Sequence, residues 1–331
     1  MSRPRDGLHL VPDAVLRRVE PRFGPVYHAR WLQAAGPDGK TVCLRLEFTF
    51  RSAFLKYRYD PPPGFFGAEA RGLDALAAAD ETLQVPEVFA WHDPAPGSRE
   101  PGWILLTWVE QEFDPYGDLS PERVQQLGDM LGTFVGLLHR APVGAATYGW
   151  ETTTYVGLRP QDNTPTARWS EFWLWRRLEP EVRAARDAGL LPGTAADWRA
   201  VYRRAEELLA PVDAAGHPSL VHGDLWLGNV RPAQRWVVFL DPAVHRGHRE
   251  VDLAMLELFP PRDRAFYRHF FASYDDVFPR DPGYPERRPL YQLFYLLAHL
   301  NLFGPPYRTS VAEALRRVLG PRRPLRRRDV G

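Results

Sequence analysis

The sequence is short of several residue types and features, and each shortage excludes a class of protein. Its 331 residues include one cysteine, Cys43, which excludes an intrachain disulfide and a zinc site built from cysteines. The formal net charge is only +1, so no overall field favours nucleic acid or a membrane surface. The most apolar segment, residues 291–303, is too short to span a bilayer. We therefore expect a globular cytoplasmic protein without nucleic-acid or membrane partners. Separately, we expect a monomer or a weak dimer.

The two ends of the chain add little to this expectation. The first 20 residues lack an apolar run of signal-peptide length, which also favours the cytoplasm. Residues 320–331 are rich in arginine, and such a run is typical of a solvated, flexible terminus rather than an arm that binds RNA or lipid.

Lysine is scarce, because the 42 basic residues include only Lys40 and Lys56. Lys40 lies in a predicted turn, "GPDGK". Lys56 lies inside the apolar strand-like run "AFLKYRY" (53–59). In a chain that otherwise uses arginine, a lysine at this position indicates a function.

Apolar periodicity divides the chain into a sheet-rich part and a helical part. Strand-like runs dominate the first 110 residues. Helical spacing dominates from Pro121 onwards, and Ser120 is the expected cap of the helix that starts there. We predict an α+β protein of two domains, 1–108 and 109–331, with the boundary near 108–116. The predicted helices are 1–20, 68–80, 121–141, 169–190, 194–212 and 249–259 with a buried one at 291–303; the predicted strands are 25–32, 41–50, 53–59 and 103–110, with two more inside 220–241.

The segment "VHGDLWLGNV" (221–230) carries the strongest chemical signal. Asp224 suits a general base that accepts a proton from a hydroxyl group. Asn229, five residues later, and Asp241, after the apolar run "WVVFL", supply the hard oxygen atoms that Mg²⁺ prefers. The alternative is an ordinary turn between two strands, without a catalytic role. However, an Asp-x4-Asn pair followed by an Asp after a strand is the arrangement of protein kinases. We therefore predict phosphoryl transfer.

The N-terminal half offers the matching nucleotide site. Lys56 is placed to reach the phosphates of ATP, and Glu69, in the following helix, is placed to pair with it. The alternative is a surface lysine and a glutamate that interacts with its own helix dipole. Thr107, Trp108 and Val109, in "LLTWVE", are expected to form the hinge that reads adenine. A phosphate-covering loop is expected between the first two strands, and the sequence does not locate it.

Two histidine groupings have competing interpretations. His245 and His248 could form a metal cluster with Asp241, but their spacing matches no common zinc motif. His222 could act as a base, although its context favours bracing the loop around Asp224.

Several longer motifs resemble one family, the fructosamine kinases (ketosamine 3-kinases), which have a protein-kinase-like, aminoglycoside-phosphotransferase-like fold. The resemblance covers about residues 20–307, and the "REVDLAM" segment is specific to that family. The matching stretches are "HGDLWLGN", "DPAVHRGHREVDLAMLELF", "YQLFYLLAHLNLFGPPY", "GLRPQDN", "WSEFWLWRRLEP", "FLKYR" and "GAEARGLDAL". The chain departs from the family at Leu227, which stands where serine is usual, and at "HRG", which replaces an aromatic pair.

The resemblance implies a two-lobed protein-kinase-like fold, with a small antiparallel-sheet N-lobe and a larger, mainly helical C-lobe. It implies ATP and Mg²⁺ as cofactors and transfer of the γ-phosphoryl group to the 3-hydroxyl of a small or protein-linked ketosamine, which leads to deglycation. Asp224 is then the base, Asn229 and Asp241 hold the metal, and Lys56 with Glu69 anchors ATP. The candidate substrate-side residues are His222, Trp226, Gln161 and Asn163.

Two other functions stay open from the sequence. The second is a kinase with the same chemistry that acts on another small alcohol, such as an aminoglycoside or choline. A non-catalytic nucleotide-binding protein is the third possibility, although such proteins usually lose the base or a metal ligand. The sequence fixes neither the sugar nor the amine of the substrate.

Overall fold

The structure, a computed structural model, describes residues 6–233 and 235–320. Of the arginine-rich segment 320–331, only Gly320 is among these residues, so the predicted flexible tail lies outside the described part. The described strands are β1 (His28–Ala35), β2 (Thr41–Glu47), β3 (Ser52–Arg58), β4 (Val88–His92), β5 (Gly102–Thr107), β6 (Thr154–Val156), β7 (Arg159–Gln161), β8 (Ser219–Val221), β9 (Val230–Ala233), β10 (Trp236–Phe239) and β11 (His245–Gly247). The described α-helices are α1 (Asp13–Phe23), α2 (Phe65–Ala79), α3 (Pro121–Arg140), α4 (Trp169–Phe172), α5 (Glu179–Asp187), α6 (Ala195–Ala215), α7 (Glu250–Leu256), α8 (Ala265–Val277), α9 (Tyr284–Phe303) and α10 (Arg308–Leu319).

The N-terminal part is a five-stranded antiparallel sheet in the order β1-β2-β3-β5-β4. Successive side chains of a strand point to opposite faces, and β5 uses both faces. Trp103 and Leu105 pack with the residues of α1, whereas Ile104 and Leu106 pack with α2. The sheet is therefore covered by one helix on each side, which buries the apolar residues of its central strands.

The register of the sheet places Lys56 on the face that α2 covers. Lys56 lies opposite Cys43 on β2 and Ile104 on β5, and Ile104 packs against α2. The start of α2 is held by Asp93, whose carboxylate accepts hydrogen bonds from the backbone N–H groups of Phe66 (2.9 Å) and Gly67 (2.8 Å). This contact fixes α2, and with it Glu69, relative to the sheet.

The helical part begins at α3, where the predicted Ser120 cap is present and accepts a hydrogen bond from the Arg123 N–H at 3.4 Å. Helices α3 and α8 approach each other closely along glycines of α3. A Cβ atom at Gly132 would lie 2.2 Å from the carbonyl oxygen of Phe270, which no real side chain tolerates. The close approach of these two helices therefore depends on that glycine.

The apolar segment 291–303 forms the second half of α9, as predicted, and most of its residues are buried. The hydroxyl of Tyr295, on α9, donates a hydrogen bond to the carbonyl oxygen of Gly223 at 2.8 Å. Helix α9 therefore supports the loop that carries Asp224. None of the described helices combines the length and the apolar character needed to cross a membrane.

The predicted elements are present with shifted ends. The first strand was expected at 25–32 and lies at 28–35, so the turn is shorter than the expected "AAGPDGK". The first helix, predicted at 1–20, runs from Asp13 to Phe23. The predicted helix 169–190 is α4 and α5 joined through a π-helical turn, Trp173–Leu178. Strand β4 was not predicted.

Candidate active site

The loop between β8 and β9 carries His222, Gly223 and Asp224. Gly223 has φ +82°, and a Cβ atom there would lie 2.1 Å from the carbonyl oxygen of Ala243. Only glycine fits both the left-handed backbone and the close neighbour. The sharp turn at Gly223 directs the chain so that Asp224 lines the cleft described below.

Asp252, at the start of α7, anchors this loop through hydrogen bonds. Its carboxylate accepts hydrogen bonds from the backbone N–H groups of His222 (2.7 Å) and Gly223 (2.8 Å), and it lies 3.0 Å from Nε2 of His139. Asp252 and His139 are both buried. Burial alone would raise the pKa of Asp252, but these hydrogen bonds and the nearby histidines hold it below its ordinary value. The carboxylate therefore stays charged and fixes the loop.

Asp252 is not among the site residues predicted from the sequence. The signal was present, since an acidic residue inside the apolar segment "REVDLAM" must find a partner when it is buried. The sequence does not name that partner, because His222 is 30 residues away in the chain.

His222 braces the loop, as its sequence context favoured. Its Nε2 lies 2.9 Å from the carbonyl oxygen of Leu240, and its Nδ1 accepts a hydrogen bond from the Asp224 N–H at 3.3 Å. The ring is fully buried, and burial lowers the pKa of His222. The neutral ring therefore donates through Nε2 and accepts through Nδ1, which ties Asp224 to the residue that precedes Asp241.

Asp224, the predicted base, is a carboxylate with a perturbed pKa. Burial and the nearby carboxylates of Asp241 and Asp252 raise its pKa to about 7, although a hydrogen bond from Asn229 opposes the rise. The side-chain nitrogen of Asn229 lies 2.9 Å from the backbone oxygen and 3.3 Å from Oδ2 of Asp224. Because the amide nitrogen is used in this way, the amide oxygen of Asn229 is the atom left for a cation.

Lys56 lies between two carboxylates. Its Nζ is 2.7 Å from Oε2 of Glu69 and 2.5 Å from Oδ1 of Asp241. Burial would lower the pKa of Lys56, but the two carboxylates outweigh burial and raise it. Burial likewise raises the pKa of Glu69. The Asp241 side chain is only partly removed from water, and the Lys56 ammonium outweighs that effect and lowers its pKa. Asp241 has φ +51°, an uncommon conformation for a residue with a side chain.

These side chains converge on one cleft of about 720 Å³ between the sheet and the helical part. Every residue predicted to bind nucleotide or metal lines this cleft, and so do the predicted base and one predicted substrate-side residue. These residues are Lys56, Glu69, Thr107, Trp108, Val109, Asn229, Asp241, Asp224 and Trp226. The turn between β1 and β2, where a phosphate-covering loop is expected, borders the cleft through Gly36.

Three residues expected on the substrate side lie elsewhere. His222, Gln161 and Asn163 are buried and do not line the cleft. The Asn163 amide donates to Thr152 O (2.8 Å) and Thr154 Oγ1 (2.9 Å) and accepts from Arg177 at 2.5 Å. Its polar groups are therefore already paired within the protein.

The histidine cluster considered above does not form. His245 is buried and stacks on Trp169 and Phe172, and His248 Nδ1 lies 2.8 Å from the hydroxyl of Tyr291. Over residues 6–233 and 235–320, no group of three His, Cys, Asp or Glu side chains could hold a metal ion.

The sequence model of the fructosamine kinase family matches residues 33–320. The chain belongs to the fructosamine kinase family. This kinase is accordingly an ATP-dependent phosphotransferase. It is 36% identical over 268 residues to a probable ketoamine kinase of Synechocystis sp., covering 80% of this chain and 82% of the relative. It is 32% identical over 271 residues to a chloroplastic protein-ribulosamine 3-kinase of Arabidopsis thaliana, covering 80% of this chain and 75% of the relative.

Solved structures confirm the two-lobed protein-kinase-like fold. A putative fructosamine-3-kinase from Thermobifida fusca is 33% identical and superposes with a TM-score of 0.73, covering 93% of this kinase and 99% of that chain. An ADP-bound aminoglycoside phosphotransferase is 14% identical and superposes with a TM-score of 0.61, covering 93% of this kinase and 98% of that chain. At that identity the second likeness concerns the fold alone.

Proposed function

We propose that this kinase transfers the γ-phosphoryl group of ATP to the 3-hydroxyl of a ketosamine. The observation that carries the proposal is the convergence of Asp224, Asn229, Asp241 and the Lys56–Glu69 pair on one cleft, in a chain of the fructosamine kinase family. Residues 1–108 then form the nucleotide lobe and residues 109–331 the catalytic lobe. The ketosamine follows from what the relatives are called, since they include ketoamine and ribulosamine kinases.

The hinge is suited to bind the adenine base. The Thr107 N–H already bonds to the Glu87 carbonyl at 2.9 Å, and the Trp108 N–H to the Ser52 carbonyl at 3.4 Å. The Val109 N–H donates no hydrogen bond within residues 6–233 and 235–320, and Val109 lines the cleft. We therefore assign the Val109 N–H as the donor to adenine.

The other end of the cleft is suited to phosphates and a divalent cation. Lys56 is held as a cation by Glu69, which orients its ammonium toward the cleft. Asp241 is charged and half-exposed, and Asn229 keeps its amide oxygen free, so the two offer the hard oxygen ligands that Mg²⁺ takes alongside phosphates and water. Bound there, Mg²⁺ would neutralise charge on the phosphate oxygens.

Asp224 serves as the base for the acceptor. Its carboxylate takes the proton of the 3-hydroxyl as the new O3–phosphorus bond forms and the bond from phosphorus to the oxygen of ADP breaks. A pKa of about 7 leaves much of Asp224 ionised at neutral pH and also makes it an effective proton acceptor. We further propose that the 3-phosphate product breaks down and releases the amine, which gives a role in deglycation.

Trp226 is the candidate acceptor contact that the structure supports. It lines the cleft, and its ring packs near Tyr116 (6.2 Å between centroids) and Phe259 (6.0 Å). A ketosamine carries a secondary amine that is protonated near neutral pH, and an indole face attracts such a cation. We keep the expectation of a cytoplasmic enzyme that works as a monomer or weak dimer.

An ADP-release assay tests the proposal. The acceptors are ribulosyl-lysine, fructosyl-lysine and erythrulosyl-lysine, with choline and kanamycin as other alcohols, and Asp224→Asn is the control enzyme. Release with a ketosamine that disappears in Asp224→Asn is the expected result. Release only with choline or kanamycin, or none with any ketosamine while ATP still binds, would contradict the ketosamine assignment.

A further inference from the structure

Arg231 is a cation of the cleft to which the proposed function gives no role. It lies on β9, two residues after Asn229, and borders the cleft together with the hinge residues. Val230 and Pro232, its neighbours on the strand, are buried, whereas Arg231 is partly exposed. Because successive side chains of a strand point to opposite sides, the strand directs Arg231 away from the core and toward the cleft.

The charge of Arg231 is not neutralised by the protein. Its Nη1 makes one long hydrogen bond, 3.3 Å, to the carbonyl oxygen of Gly228. No carboxylate of residues 6–233 or 235–320 lies within ion-pair distance of it. Arg45, also close to the hinge, differs, since it binds Glu47 at 2.6 Å and Glu110 at 2.9 Å. A guanidinium has five N–H donors, so most donors of Arg231 stay available to a ligand.

The position of Arg231 identifies the part of the ligand that it meets. It borders both the cleft and an adjoining recess formed by residues 111–116, which continue from the hinge, and by Leu227 and Gly228. Lys56 and Asp241, at the phosphate end, do not border that recess. Arg231 therefore lies at the end of the cleft where the nucleoside, rather than the phosphates, is held.

We propose that Arg231 binds the ribose of the nucleotide by donating hydrogen bonds to its 2′- and 3′-hydroxyl oxygens. The planar guanidinium offers parallel donors, which suit two oxygens on neighbouring carbon atoms. This inference rests on the proposed function only in taking the cleft as the ATP site. It does not depend on the identity of the acceptor.

Nucleotide binding without acceptor tests this role directly. Trp108 and Trp226 border the cleft, so quenching of tryptophan fluorescence can report binding of ADP, 2′-deoxy-ADP and 3′-deoxy-ADP. The variants are Arg231→Met, Arg231→Lys and, as a matched control, Arg235→Met, which removes an exposed arginine outside the cleft on the β9–β10 turn. Thermal unfolding of each variant verifies that it is folded.

We expect Arg231→Met to weaken ADP binding roughly tenfold, the effect of losing a charge-assisted hydrogen bond. The parent should bind the deoxy nucleotides less tightly than ADP, and Arg231→Met should lose most of that discrimination. Arg231→Lys should recover only part of the affinity, and Arg235→Met should bind like the parent.

Two results would overturn the proposal. The first is ADP binding by Arg231→Met within twofold of the parent. The second is weakened binding with the discrimination against deoxy nucleotides unchanged, which would place Arg231 on the face of the base instead. Failure of the ketosamine assignment is distinguishable, because it would leave ADP binding intact and abolish only ADP release in the acceptor assay.

Discussion

Replacing the proposed base should make the protein more stable while it removes activity. Asp224 is held in a conformation in which burial, Asp241 and Asp252 oppose its ionisation. Its pKa in the folded state, about 7, lies above the ordinary value of 3.8. Above pH 7 the folded protein therefore carries the cost of an ionised Asp224, and this cost disappears as the pH falls toward 3.8. Asp224→Asn removes the charge and keeps an oxygen to accept from Asn229.

The size of the stabilisation by Asp224→Asn follows from the pKa shift of Asp224. A difference of one pKa unit corresponds to about 1.4 kcal/mol, so the full shift amounts to about 4 kcal/mol above pH 7. The carboxylate borders the open cleft, where water reduces the cost, and we expect roughly half of it, about 2 kcal/mol. For a chain of this length that gain raises the melting temperature by about 3 °C.

The assay is urea and thermal unfolding of the parent and of Asp224→Asn between pH 5 and 8.5, without nucleotide or Mg²⁺. The advantage of Asp224→Asn should grow with pH up to about 7 and then level off. Asp187→Asn, an exposed position on α5, is the matched control and should show no such trend. Turnover should be lost in Asp224→Asn while ATP binding stays close to that of the parent.

A variant that is no more stable than the parent at pH 8 would refute the reasoning about burial of the charge. A gain that does not change with pH would also refute it, because it would come from packing and not from ionisation. Turnover within tenfold of the parent would remove Asp224 from its role as the base.

Three further predictions concern the parts that hold the site. Lys56→Met should weaken ADP binding at least tenfold, and it should destabilise the fold by about 3 kcal/mol because Glu69 loses its buried partner. Calorimetry measures the affinity and urea unfolding measures the stability. An unchanged affinity for ADP would contradict the prediction. Asp252→Asn loses one of the two hydrogen bonds to the loop, so it should lower kcat roughly a hundredfold with the KM for ATP little changed. A change in the KM for ATP without a change in kcat would contradict this prediction. Gly132→Ala should destabilise the α3–α8 contact by about 2 kcal/mol without altering kcat per folded molecule. Urea unfolding measures the stability, and active-site titration gives the amount of folded enzyme. An unchanged urea midpoint would contradict the prediction.

The predictable part of the fold came from local signals. Ser120 followed by proline predicted the start of α3, and the cap is present. The scarcity of lysine indicated Lys56, which indeed lies in the cleft with Glu69 and Asp241. Each of these signals depends on neighbours in the sequence or on composition, which a single chain displays directly.

The remaining features depend on contacts between distant parts of the chain. Strand β4 has five residues, most of them partly exposed, and a bulge interrupts its pairing with β5, so its periodicity is weak. Gln161 and Asn163 were expected near the substrate because their motif resembles that of the family. Both are buried instead, and Asn163 accepts a hydrogen bond from Arg177, a contact that no local pattern shows.

In the proposed function, this cleft phosphorylates a ketosamine with Asp224 as the base. The most direct test is to incubate the parent and Asp224→Asn with Mg²⁺, ATP and ribulosyl-lysine or fructosyl-lysine and to identify the products by mass spectrometry and phosphorus NMR. We predict a sugar 3-phosphate and an equal amount of ADP with the parent, and neither with Asp224→Asn although it still binds ATP. ADP formed without any phosphorylated ketosamine, or the same product from Asp224→Asn, would contradict the account.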